Sequence, residues 1–74
     1  MYEVDTRELR VAMVEAGIDT IEQFSSLTGI NRNTLSGVLN GSIYPSSMVM
    51  VKIAGSLNMS SERAGAIFFR KKLA

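Results

Sequence analysis

Seventy-four residues, 46% of them apolar and with a formal net charge of +1, are enough for one small globular domain spanning 1–74 and little more. The absence of cysteine and histidine excludes a disulfide staple and thiolate chemistry, and it removes the usual metal ligand and neutral-pH proton shuttle. No apolar run approaches the roughly 18 residues of a membrane span, and the opening MYEVDTREL is too acidic for a secretory signal.

The apolar spacing predicts five helices. Helix one is expected over 6–16, with Asp5 as N-cap, Glu8 completing a capping box, Gly17 at the stop, and Leu9, Ala12, Met13 and Ala16 on one face. Helix two starts at Thr20, whose hydroxyl can take a free amide while Gln23 reaches back. Its apolar stripe is Ile21, Phe24 and Leu27. Gly29 ends that helix, because glycine enters the left-handed conformation without penalty, and Ile30 follows as a buried turn residue.

Asn31 is a good N-cap for helix three, whose inward face is Leu35, Val38 and Leu39 and which Gly41 ends. After a loop holding Tyr44 and Pro45, Ser46 or Ser47 caps helix four, with Met50, Ile53, Ala54 and Leu57 inward and Val49 close by. Ser60 opens helix five, with Ala64, Ile67 and Phe68 inward, and past Phe69 the basic end at 70–74 is expected to fray. No segment alternates long enough to make a convincing strand. The fold class is therefore all-α, a compact five-helix bundle. The short link around Gly29 sets helices two and three at a steep angle, which is a helix-turn-helix over about 20–41.

Charge is unevenly spread along the chain. Up to Thr28 six acids face Arg7 and Arg10, for −4; from Gly29 onward Glu62 alone faces six bases, for +5. That asymmetry suggests an anionic partner for the second half, or, more plainly, a solvated basic tail.

The segment TIEQFSSLTGINRNTLSGVLNG, residues 20–41, resembles the helix-turn-helix of the Cro and phage-repressor family, often called XRE-like. The likeness rests on the small Ser25, the Gly29-Ile30 turn, Thr34-Leu35-Ser36 and the closing Asn40-Gly41. Downstream, Pro45-Ser46, Ile53-Ala54, Leu57-Asn58 and Phe68-Phe69 resemble the family's fourth and fifth helices, so the likeness covers roughly 5–69. It implies a lambda-repressor-like DNA-binding domain that inserts helix three in the major groove, usually as a dimer on a pseudo-palindromic operator. Carried over by position, Arg32, Asn33 and Ser36 would face base edges, while Asn40 would meet a phosphate and Asn31 and Thr34 would contact the DNA backbone.

Chemistry leads to a similar set. With Leu35, Val38 and Leu39 inward, the opposite face of helix three carries Arg32, Asn33, Ser36 and Gly37. Arginine can grip guanine O6 and N7 with two donors, and asparagine can do the same for adenine N6 and N7. The plain alternative is an ordinary solvated helix start in which Asn31 and Asn33 serve their own backbone. Gly37 would let the helix approach the groove closely, or else is a tolerated weak spot costing about 1 kcal/mol.

Two departures bear on affinity. Family members often place a phosphate-clamping glutamine at the first position of helix two, where this chain has Ile21, and Glu22 beside it would repel phosphate. The groove-side cations are Arg32, Lys52 (a further backbone candidate) and Arg70-Lys71-Lys72, so modest affinity is expected from a monomer. There is also an apolar surplus, Met48 to Val51 in a row with Ile43, Tyr44, Phe69 and Leu73, which points to a protein contact.

Two readings result. One is a Cro-like regulator of a phage or prophage genetic switch, occupying operator DNA as a homodimer in the bacterial cytoplasm. The other is a modulator that acts by binding a partner repressor protein, with weak or no DNA binding of its own. Enzyme activity is not expected, since Ser36, Ser46 and Ser60 have no histidine to activate them. Neither a cofactor, a metal nor a small-molecule substrate is expected, because no Gly-rich phosphate loop or metal-ligand cluster appears.

Overall fold

In the computed structural model, which describes residues 1–73, the chain runs β1 (Tyr2–Glu3), α1 (Thr6–Glu15), α2 (Ile21–Thr28), α3 (Arg32–Asn40), α4 (Ser47–Ser56), α5 (Ser61–Phe68) and β2 (Arg70–Lys71). Each helix start is held by a side-chain cap, which satisfies an amide that would otherwise go unpaired. Asp5 accepts from Glu8 N, Asn31 from Asn33 N, Ser46 from Val49 N and Ser60 from Arg63 N. Thr20 and Gln23 form a reciprocal capping box: Thr20 Oγ1 accepts from Gln23 N, and Gln23 Oε1 accepts from Thr20 N. Ser46, not Ser47, is therefore the cap of α4.

The core is built from all five helices. Phe24, Phe68, Leu9, Leu35, Ile53, Ile67 and Val38 are its largest fully buried side chains. Burial of each such side chain contributes about 1.5–3 kcal/mol. Around them α2 packs on α3 and α4, α1 on α3 and α5, and α4 on α5. One cross-link is polar: Arg10 of α1 donates from Nη2 to the Leu39 carbonyl, 3.0 Å away at the last turn of α3, where a cation also meets the negative end of the helix dipole.

Two expectations from the spacing are corrected here. Leu27, placed on the inward stripe of α2, is 54% exposed, and Thr28 is buried in its stead. A buried threonine is tolerated because both hydroxyl functions are used: Oγ1 donates to the Phe24 carbonyl at 2.8 Å and accepts from Ile30 N at 3.1 Å. Residues 70–72 do not fray after Phe69; Ala74, the last residue of that expected tail, lies outside the described residues. Arg70–Lys71 pairs antiparallel with Tyr2–Glu3, Lys72 N donates to the Met1 carbonyl, and Tyr2 stacks edge-on against Phe69. Arg70 holds Glu3 through Nε and Nη2 and lies 3.5 Å from Asp5. Hydrogen bonding to Glu3 pushes the already basic guanidinium further up.

Candidate nucleic-acid interface

The link between α2 and α3 is locked from both sides. Gly29 closes α2 at φ +73° and donates its N–H to the Ser25 carbonyl. Ser25 Oγ in turn donates to the Ile30 carbonyl at 2.6 Å, so the small residue within α2 ties down the turn itself. Ile30 is buried, and α3 leaves the turn with Leu35, Val38 and Leu39 against the core.

The opposite side of α3 is open. Arg32, Asn33, Ser36 and Asn40 are exposed, Asn31 is exposed just before the helix, and Thr34 is half-buried. At spacings of four, Arg32, Ser36 and Asn40 form one row along the helix surface, with Asn33 beside it. The two asparagines at the ends of the helix use their carboxamide oxygens locally: Asn31 Oδ1 accepts from Asn33 N at 2.7 Å, and Asn40 Oδ1 from Ser42 N at 2.9 Å. Their amide groups, and the side chains of Asn33 and Ser36, have no hydrogen-bond partner among the described residues. Lys52 is exposed on a different helix, α4, so it is not part of the α3 row.

Gly37 does not belong to this face. It is buried, and a Cβ placed on it would lie 2.3 Å from Ile43 Cδ1. Close approach to a groove is therefore not its role. It admits the Ile43 side chain as the chain turns back after α3, and its carbonyl accepts from both Ser42 N and Ile43 N.

The charge asymmetry of the sequence is largely cancelled by the fold. Arg32 pairs with Glu22 at 2.9 Å, Arg63 with Glu15 at 2.7 Å, and Arg70 with Glu3 and Asp5, each joining a basic residue of the second half to an acid of the first. Among the described residues Lys52, Lys71 and Lys72 make no ion pair. Lys72 borders a polar depression shared with Asn40, Ser42 and Tyr44, which brings a cation to the C-terminal end of the α3 row. In the same place Tyr44 donates its hydroxyl to the Phe68 carbonyl at 2.6 Å. Partial burial, with a smaller contribution from Tyr2, pushes that hydroxyl above its ordinary range. The Glu22 pairing was within reach of the sequence, as opposite charges at the first turns of adjacent helices; the Lys72 placement was not, because it depends on the terminal strand pair.

Two helices joined by a glycine turn, the second presenting a polar face away from the core, define a helix-turn-helix protein of the DNA-binding class. The model of the Cro/C1-type HTH DNA-binding domain matches residues 8–62, and the chain belongs to that family. It is thus a DNA-binding protein of the transcription-regulator kind. No curated protein and no solved structure matches the chain. Among the described residues no helix is long and apolar enough to cross a membrane, and no cluster of three or more acidic residues is placed to hold a metal ion.

Proposed function

We propose that the chain is a Cro-like regulator that occupies operator DNA with α3 in the major groove, within the genetic switch of a phage or prophage. The observation that carries this reading is the exposed row on α3. Arg32, Asn33 and Ser36 stand clear of the core on a helix whose inner face is fully committed to packing. In this reading those three face base edges, and Asn31, Thr34, Asn40 and Lys52 meet the DNA backbone. With three arginines paired to carboxylates, phosphate neutralisation by one copy is small. A homodimer spanning two half-sites doubles it.

A second reading has its own support. Met48, Val51 and Phe69 are exposed, and Val51 and Phe69 rim an open apolar groove between α4 and α5 with Met50, Met59 and Ala64. A surface of that kind suits a modulator that binds a partner repressor.

Gel-shift titration with the intergenic duplex flanking its own gene, with and without the neighbouring repressor, separates the two. A shift by the chain alone that weakens by about 1–3 kcal/mol in Arg32→Ala, with unchanged thermal unfolding, supports the DNA reader. A shift that appears only with the repressor, and is indifferent to Arg32→Ala, supports the modulator.

A further inference from the structure

The cation at the tip of α3 is not a free one. Arg32 is the first residue of α3 and Glu22 lies in the first turn of α2, so the helix-turn-helix angle brings the two side by side. Glu22 Oε2 accepts from Arg32 Nη1 at 2.9 Å, and both side chains are 62% exposed. An ion pair so wet contributes little to folding. Whatever meets Arg32 therefore also meets Glu22.

The pair engages one nitrogen only. Nε and Nη2 of Arg32 have no partner among the described residues, and that edge of the guanidinium is a two-donor fork. We propose, on the reading that α3 enters the major groove, that Glu22 is a specificity-determining residue. Its carboxylate directs the free fork of Arg32 toward a guanine edge and denies it to phosphate. Two consequences of charge support this. A phosphate oxygen at the fork would sit beside the Glu22 carboxylate and be repelled, whereas guanine O6 and N7 carry no formal charge and match the fork. The pair is also neutral as a unit, so Arg32 releases no counterion on non-specific duplex. As water leaves the interface the Glu22 attraction strengthens, and the guanidinium is held in the orientation that suits a base edge.

Glu22→Gln is the test, since it keeps size and a hydrogen-bond acceptor while removing the charge. The full chain, Glu22→Gln, Arg32→Ala and the double variant are titrated by fluorescence anisotropy over a range of salt. Each meets two duplexes: one selected by the parent from a randomised pool, and one of scrambled sequence. Glu22→Gln is expected to bind the scrambled duplex more tightly, with a salt slope steeper by about one. The ratio of selected to scrambled affinity should fall at least about fivefold, the lower end of the value of one base-pair preference. Thermal unfolding should not move. In the Arg32→Ala background the same change should leave the ratio unaltered.

A Glu22→Gln ratio equal to or above the parent's overturns the proposal, as does an equal change with Arg32 absent. A uniform loss on both duplexes also overturns it, marking a merely structural role. A parent that selects no sequence overturns the groove reading and this proposal with it. A parent that selects while Glu22→Gln keeps the same preference overturns only the assignment to Glu22.

Discussion

Ile43 sits over the bare Cα of Gly37, so close that an added methyl group would meet Ile43 Cδ1 at 2.3 Å, Cγ1 at 2.5 Å and Cβ at 3.0 Å. Two effects compete in Gly37→Ala. Alanine favours the helix by about 1 kcal/mol, but it evicts a docked side chain whose own N–H is tied to the Gly37 carbonyl at 3.1 Å. Overpacking of that sort costs about 1–3 kcal/mol, and eviction wins. Gly37→Ala should lower stability in urea titration, whereas in an Ile43→Ala background it should be neutral or stabilising, a coupling of about 1 kcal/mol or more. Equal effects in the two backgrounds would show that Ile43 does not constrain the site.

Gly29 is constrained differently. Nothing lies within 4 Å of where its Cβ would be, so space is not the issue; φ +73° is. A left-handed residue with a side chain costs about 1–2 kcal/mol, and a β-branched one more. Gly29→Val should therefore lower the unfolding midpoint well beyond Gly29→Asn, because asparagine tolerates that region. Matching midpoints for the two variants would mean the turn relaxes out of it.

How far the sequence alone could go follows from the range of the interactions. The caps at Asp5, Thr20, Asn31 and Ser60 and the stop at Gly29 are local chemistry within four residues, and the structure has all of them. The inward Leu35, Val38 and Leu39 follow from helical period alone. What periodicity could not supply is set by distant partners. Leu27 and Thr28 lie one position apart on the α2 stripe, and the choice between them turns on the Thr28 hydroxyl closing the turn at Ile30. Helical period alone puts Gly37 on the outward face, and it is Ile43, six positions on, folding back over it that buries it. The clasp of Glu3 and Asp5 on Arg70 joins residues more than sixty positions apart and has no local signature. On α3 the open row was readable, and so were the opposite charges of Glu22 and Arg32 at adjacent first turns; which atoms they join depends on how the two helices cross.

Tyr44 links the loop after α3 to the end of α5 through its bond to the Phe68 carbonyl, and that bond exists only while the phenol keeps its proton. Its folded pKa is raised above the ordinary 10.0, by partial burial first and Tyr2 second. The raised value fixes the sign. Below pH 10 both folded and unfolded chains hold the proton and the contribution is complete. As pH rises past 10 the unfolded chain loses it first, and stability falls until the folded pKa is passed. Tyr44→Phe should thus cost about 1 kcal/mol at neutral pH. The gap between parent and variant should close in strongly alkaline buffer, as read by urea midpoints at several pH values. A gap independent of pH would rule out the hydroxyl bond as its source.

Lys72 and Arg32 should fail in different ways, and the difference tests which side of the molecule faces DNA. Lys72 carries no ion pair among the described residues and borders the depression that Asn40 shares at the far end of α3, so its charge is available to a phosphate. A phosphate contact has no sequence content. Lys72→Ala should accordingly weaken selected and scrambled duplexes by the same factor and make the salt slope shallower by about one. Arg32 is already neutralised by Glu22, so Arg32→Ala should leave the slope nearly unchanged while reducing preference for the selected duplex. The two patterns come from the same anisotropy titrations. A Lys72→Ala variant with unaltered affinity on both duplexes would turn the C-terminal end of α3 away from the DNA, and with it the placement of Asn40 at a phosphate.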